Sequence, residues 1–288
     1  AMAFSLRTTS LILGILLSQG LSACMPQRSA AQTSQAFRRV TIPGSEVRSL
    51  ESSATGRSYD LYVRLPEEYE QNQGMSYPVL FVLDGQWDFK LLDSIYGGLH
   101  YDKFVPAIII VGVTYSGENP DYGALRALDY TPVRDLFFPG SGEGAKFLAF
   151  FKEELIPFIE SEYRADSSER MLMGSSFGGT FTLYAMFAEP GLFHGYVAGS
   201  PIVTFGNRDV FKQEAAYASS HQELPVRLFL GVGELEEIAG PVEEFMQVLR
   251  ERNYTGLELE TRTIEGERHA GNKPEIYNRG LRFLFQDE

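Results

Sequence analysis

From residue 77 onward the chain alternates between two textures. Short runs that are apolar at nearly every position, "YPVLFVLDG", "AIIIVGVTY", "ERMLMG", "GYVAGSP" and "VRLFLGVGE", are separated by longer segments with helical spacing. In "GAKFLAFFKEELIPFIESEY", for instance, Phe147, Phe151, Leu155 and Phe158 fall on one stripe, and Pro157 is expected to kink or interrupt the helix. Strands apolar on both faces and alternating with helices predict a mostly parallel sheet covered on both sides. Upstream, "EVRSLESS" and "SYDLYVRLP" alternate apolar and polar positions and are joined through "ATGR", which predicts antiparallel edge strands. The segment "SGENPDYGALRALDYTPVRDLFFPGSGEG", Ser116 to Gly144, has little periodicity. A connection of that length in a compact domain is expected to be functional, and it leaves the edge of the sheet where ligands bind. It is read as a wall of the active site.

Composition narrows the possibilities. With 288 residues, 44% hydrophobic and 22% charged, the chain can bury one substantial core. A net charge of -13 argues against nucleic acid as a partner and gives no attraction to anionic lipid. One cysteine and four histidines supply no Cys/His cluster, so no zinc or iron–sulfur site is expected, and no metal or cofactor is needed.

The N-terminus reads as an export signal. Arg7 precedes the apolar run "LILGILL" and the small residues of "SQGLSAC", ending at Cys24. The apolar run is too short for a stable membrane span. "LSAC" resembles the lipobox of bacterial lipoproteins, whose cysteine is lipidated. Met25 rather than Asp follows it, which by the same resemblance removes the usual signal for inner-membrane retention. The expected organisation is a signal peptide over 1–24, a Ser/Gln/Ala-rich tether over 25–38 and a catalytic domain over 39–288. The expected location is periplasmic, or the outer membrane through the lipid on Cys24.

Chemistry concentrates at "MLMGSSFGGT", Met171 to Thr180. A buried strand enters a helix here through a glycine-lined corner, the setting of a nucleophile elbow, and G-x-S-x-G fits only with Ser176 at its centre. Ser175 is its neighbour. A serine hydroxyl needs a base, an orienting acid and donors for a developing oxyanion. On such a sheet the partners follow in the order serine, acid, histidine. His269, in "TIEGERHAGN" between the last strand and the last helix, occupies the slot of the base. His221 precedes a strand and would sit at the wrong edge; His194 and His100 read as surface or packing residues. The acid is expected after "VRLFLGVGE", where Glu234, Glu236 and Glu237 are available. Counting three residues past Gly233 favours Glu236, with Glu234 as the alternative. The oxyanion donors are expected to be the backbone N–H groups of Phe177 and Gln86, with Gly85 allowing a tight turn before Gln86 and Gly178 and Gly179 allowing close helix packing. Trp87, beside the Gln86 donor, and Tyr115, at the end of the run "AIIIVGVTY", are the expected substrate-binding residues.

The stretches "LDGQW", "VGVTYSGENPDYGALRALDYTP", "IPFIESEYRADSSERMLMGSSFGGTFTLYAMFAEPGLFHGYVAGSP", "FLGVGELEE" and "HAGNKPEIYNRGLRFLF" resemble the esterase D and enterochelin-esterase branch of the α/β-hydrolases. That family contains siderophore, feruloyl and acetylxylan esterases, S-formylglutathione hydrolases and mycolyltransferases. The likeness runs from about Arg48 to Phe285. It implies the α/β-hydrolase fold, with a mostly parallel central sheet, antiparallel N-terminal strands and helices on both faces. It also implies a serine carboxylic-ester hydrolase acting on a small-molecule ester, with the oxyanion donor after LDG at Gln86. Two departures are visible. Many relatives carry Asp where this chain offers glutamates, and "GSPIVTFG" stands where close relatives carry "SPSxWW", which argues against an aromatic siderophore-type pocket. An acyltransferase with the same triad and a catalytically silent ligand-binding lipoprotein are the alternative readings.

Overall fold

The computed structural model describes residues 40–286, and from Ile42 onward they pack as one unit. The expected signal peptide, the tether and Cys24 lie outside the described residues.

Among the described residues eight strands form one sheet in the order β1-β2-β4-β3-β5-β6-β7-β8. β1 (Ser45–Glu51) pairs antiparallel with β2 (Ser58–Arg64), and β2 pairs antiparallel with β4 (Ile109–Tyr115). β3 (Tyr77–Val82), β5 (Ala165–Ser175), β6 (Gly195–Gly199), β7 (Arg227–Gly233) and β8 (Glu258–Ile264) continue the sheet in parallel. The period-two geometry of a strand divides the core. In β3, Val79 and Phe81 join the larger apolar cluster on one face, and Leu80 and Val82 join the smaller one on the other. The smaller face is covered by α1 (Gly85–Tyr101), through Phe89, Leu92 and Tyr96, and by α8 (Lys273–Phe285), through Ile276, Tyr277 and Leu281. The larger face carries α2 (Tyr122–Asp129), α3 (Gly144–Phe150), α4 (Ile156–Glu162), α5 (Phe177–Ala188), α6 (Phe205–Ala218) and α7 (Ala239–Arg252). Phe147, Phe181, Val210 and Phe245 are among the residues that fill that core.

One expectation about regularity is met and one needs correction. Pro157 stands just after an interruption of the α-helical ladder. Between α3 and α4 the backbone widens into one π turn, Phe151–Leu155, in which Ile156 N–H donates to Phe151 O, five residues back. Proline lacks an N–H and clashes with the carbonyl four residues earlier, and the wider turn accommodates both defects without ending the helix. The Ser116–Gly144 connection is not irregular throughout, because α2 forms inside it. The Asp121 carboxylate accepts from Ala124 N–H at 3.0 Å and caps its start.

Candidate active site

The parallel strands all end at one edge of the sheet, and the candidate residues lie on the loops that leave it. At the end of β5 the chain turns into α5 within one residue. Ser176 takes that turn, with φ 61° and ψ -126°. For a residue with a Cβ this conformation costs about 1–3 kcal/mol and persists only where the surroundings hold it. They do so here: Ser176 N–H donates to Gly199 O at 2.9 Å, and Thr180 N–H to Ser176 O at 3.0 Å. Close packing also requires glycine. A Cβ on Gly174 would stand 2.5 Å from the Gly178 carbonyl carbon, and one on Gly179 would stand 2.6 Å from Gly199 O. The demand falls on Gly174 and Gly179; Gly178 itself would admit a Cβ at 3.4 Å from Leu83. Ser175 is fully buried as the last residue of β5, and its hydroxyl has no hydrogen-bond partner among the described residues.

The loops after β7 and β8 bring Glu236 and His269 together. His269 Nδ1 and Glu236 Oε2 are 2.6 Å apart. The glutamate side chain is 2% exposed and the histidine side chain 46%. With Nδ1 donating to the carboxylate, Nε2 is the ring nitrogen left to accept a proton. The other carboxylate oxygen, Oε1, accepts from Gly233 N–H at 2.7 Å, Ser200 Oγ at 2.6 Å and Asn272 Nδ2 at 2.5 Å. These three donors leave that oxygen fully partnered and fix the carboxylate in place. Glu234 takes a different part: its exposed carboxylate accepts from Gly266 N–H at 2.8 Å and ties the β7 exit to the histidine loop. Glu237 is exposed to solvent.

Ser200 and Asn272 were not foreseen from sequence. Ser200 follows β6 in a left-handed conformation, φ 41°, with its N–H on Gly231 O at 2.7 Å. Asn272 lies three residues past His269 and also donates to Ser200 Oγ at 2.9 Å. The only sequence signals were their adjacency to "GSP" and "HAGN". Neither carries a pattern that distinguishes a buried polar clamp from a loop residue.

The turn before α1 is built around a buried charge. The left-handed residue is Asp84 (φ 58°), not Gly85. Gly85 is required instead because a Cβ there would stand 2.8 Å from the Gly112 carbonyl carbon in β4. Asp84 is held by Arg126 of α2 through two hydrogen bonds of 2.6 and 2.8 Å, and its N–H donates to Tyr130 Oη at 3.2 Å. Burial pushes the Asp84 carboxyl above the usual range, and the guanidinium opposes that rise. The Gln86 side chain is engaged with Thr114, whose hydroxyl donates to Oε1 at 2.6 Å. The Gln86 and Phe177 N–H groups belong to the first turns of α1 and α5, where helical geometry offers an N–H no partner inside the helix. The two turns are neighbours: a Cβ on Gly178 would lie 3.6 Å from Asp84 Oδ2. One turn further into α1, the buried Asp88 receives Lys273 Nζ at 2.8 and 3.0 Å and Tyr277 Oη at 2.5 Å, linking the starts of α1 and α8.

Aromatic side chains border both turns. Trp87 is partly exposed, lies 5.5 Å from the Tyr122 ring and has the Arg126 guanidinium 5.2 Å from its centroid. Tyr115 does not reach the surface. It is buried between Tyr59 and Tyr122, because it ends a central strand beneath α2, so it is a packing residue rather than a substrate contact. Phe177, Phe138 and Phe205 pack edge-on or tilted with centroids 5.5 to 5.8 Å apart. Phe205 comes from the "GSPIVTFG" stretch, so aromatic rings stand there despite the missing tryptophans. The remaining histidines sit elsewhere. His100 stacks on Tyr96 in α1, His221 stacks on Tyr217 after α6, and His194 enters β6 at the opposite end from its ligand-facing edge. Among the described residues no group of three His, Cys, Asp or Glu side chains is gathered for a metal ion, and no helix is long and apolar enough to cross a membrane.

Comparison with known proteins places this geometry. The family model described as "Putative esterase" matches residues 52–271, well over half of the chain. The chain belongs to that esterase family. It is a carboxylic-ester hydrolase of the esterase D and enterochelin-esterase-like branch, with the α/β-hydrolase fold. The ferri-bacillibactin esterase BesA of Bacillus subtilis is 29% identical over 284 residues, covering 91% of this chain and 95% of that protein. The crystal structure of the BES protein from Bacillus cereus superposes with a TM-score of 0.77 at 28% identity, covering 88% of this chain and all of that one. An IroE-like serine hydrolase from Shewanella oneidensis shares the fold, with a TM-score of 0.75 at 24% identity over 84% of this chain and 80% of its own.

Proposed function

We propose that this esterase works through a Ser176–His269–Glu236 triad and an acyl-enzyme. The observation that carries this reading is the 2.6 Å bond from His269 Nδ1 to a buried, fully hydrogen-bonded Glu236, at the sheet edge where strain presents Ser176. His269 Nε2 takes the Ser176 hydroxyl proton as Oγ bonds to the ester carbonyl carbon. The carbonyl oxygen becomes an oxyanion, received by the N–H groups of Phe177 and Gln86. Collapse breaks the bond to the alcohol, which leaves with the proton from His269, and Ser176 remains acylated. Water then attacks, giving its proton to His269. The second collapse releases the acid and returns the proton to Ser176. Glu236 stays ionised throughout and supports the imidazolium.

The exposure of His269 supports water rather than a second alcohol as the acceptor, because an acyltransferase must keep water from the acyl-enzyme. The relative named for ferri-bacillibactin supports a siderophore-type ester as the substrate class, with Trp87 on the pocket wall. Export with a lipid on Cys24 completes the proposal, and its basis is the "LSAC" sequence alone. Turnover of p-nitrophenyl acetate and of a catecholate siderophore, with product analysis in the presence of an added alcohol, tests the reaction. Free acid is the expected product. A dominant transesterification product would make the chain a transferase, and no turnover of either ester would refute the triad.

A further inference from the structure

The turn Asp135 to Gly140, "DLFFPG", is fixed on every side yet presents apolar side chains to water. Leu136 is 95% exposed, Phe137 90% and Phe138 45%. The turn is not a loose excursion. Phe137 N–H donates to Asp135 Oδ1 at 2.8 Å, Phe138 N–H to Asp135 O at 3.2 Å, Ser141 N–H to Phe138 O at 2.9 Å, and Asp135 N–H to Ser141 Oγ at 2.9 Å. Gly206 N–H at the start of α6 holds the other Asp135 oxygen at 3.2 Å. The segment leading into the turn is closely packed as well, since a Cβ on Gly206 would meet Val133 Cγ2 at 2.3 Å.

What this frame displays is continuous with the nucleophile. Phe138 stands perpendicular to Phe177 at 5.6 Å, and Phe177 is the residue that follows Ser176. Phe177 and Phe138 therefore connect the elbow to the turn on which Leu136 and Phe137 are exposed. A contiguous exposed apolar patch marks an interaction site, and three occupants are conceivable. A second copy is disfavoured by size: three side chains of at most about 150–250 Å² each fall short of the ~800 Å² per partner of a stable interface. An anionic membrane is disfavoured by the net charge of -13. The apolar part of an ester held at Ser176 needs no more surface than is present.

We infer that Leu136, Phe137 and Phe138 form an apolar wall that selects esters bearing a bulky apolar group over small ones. The inference rests on the serine reading above and adds the substrate property that the site rewards. The test compares the full-length protein with a Leu136→Ser/Phe137→Ser variant, whose altered side chains leave the packed core untouched. Two substrate arms distinguish the side of the ester that is gripped. The acyl arm is p-nitrophenyl octanoate against acetate, and the alcohol arm is octyl against methyl acetate. In one arm the wild type favours the long substrate, and the variant's long-to-short ratio of kcat/KM falls about tenfold, the low end of the discrimination that one methylene gives in an apolar pocket. A ratio within twofold of wild type in both arms overturns the wall. So does flotation with phosphatidylcholine vesicles that the variant loses while both ratios stay put, which would assign the patch to a membrane surface. If the wild type hydrolyses no ester in either arm, the serine reading fails and takes the wall with it.

Discussion

Replacing Arg126 with Met removes the cation that forks onto Asp84 and leaves its carboxylate, 1% exposed, with little beyond the Gln86 amide at 3.4 Å. Breaking a buried pair from one side costs about 3–5 kcal/mol, because the remaining charge is uncompensated. The sign is fixed by the direction of the shift. Burial already raises Asp84 above its ordinary value, and loss of Arg126 removes the opposing influence. A carboxyl raised in the folded state contributes stability below its unfolded pKa and loses it as pH rises through the folded one. The penalty in Arg126→Met should therefore be greatest at pH 8 and shrink toward pH 5. Urea unfolding at both pH values reads it as a shift in midpoint, and the single tryptophan, Trp87, reports from 5.2 Å away. The Arg126→Met/Asp84→Asn double variant, with no charge left to strand, should recover most of the stability. If the double variant is no more stable than Arg126→Met, or if the loss is independent of pH, the reasoning about the buried charge is wrong.

Glu236→Gln should preserve folding and lower kcat by roughly 10³-fold or more, since the amide no longer fixes the tautomer of His269 or supports its charge. Glu234→Gln, which only weakens the tie to Gly266 N–H, should stay within about fivefold, and steady-state kinetics on p-nitrophenyl acetate compares the two. Ser200→Ala removes one of three donors to Glu236 Oε1 and should cost about 1–2 kcal/mol, roughly 5- to 30-fold, in kcat with KM little changed. A merely structural role would instead lower the urea midpoint and leave kcat per folded molecule intact.

How far the sequence carried the fold depended on whether a feature was local. The apolar runs that became β3 to β7 were legible because strands buried on both faces must be apolar throughout, and the alternation in "SYDLYVRLP" marked a half-covered strand. The turn at Ser176 was legible because a strand-to-helix corner imposes glycines at fixed offsets. Glu236 was separable from Glu234 only by counting residues past Gly233, and the structure gives the two different hydrogen-bond partners. What was missed depends on contacts between distant segments. Ser200 and Asn272 meet Glu236 from two other loops. Asp84 and Arg126 are 42 residues apart, and nothing near either announces a buried pair. Tyr115 looked like a pocket residue because it ends a strand at the ligand edge, but α2 covers it, and α2 itself was hidden in a segment rich in glycine and proline. The interruption expected at Pro157 takes the form of a π turn, which keeps Phe147, Phe151 and Leu155 packed on the core.

The central claim is that Ser176, and not Ser175, becomes covalently acylated. A fluorophosphonate traps such a nucleophile irreversibly, so intact-mass and peptide mass spectrometry after labelling reads the claim directly. The wild type should gain one adduct, on Ser176 in the peptide containing "GSSFGG"; Ser175→Ala should gain the same adduct, and Ser176→Ala and His269→Ala should gain none at matched time. Labelling that survives in Ser176→Ala, or that maps to Ser175, would contradict the account.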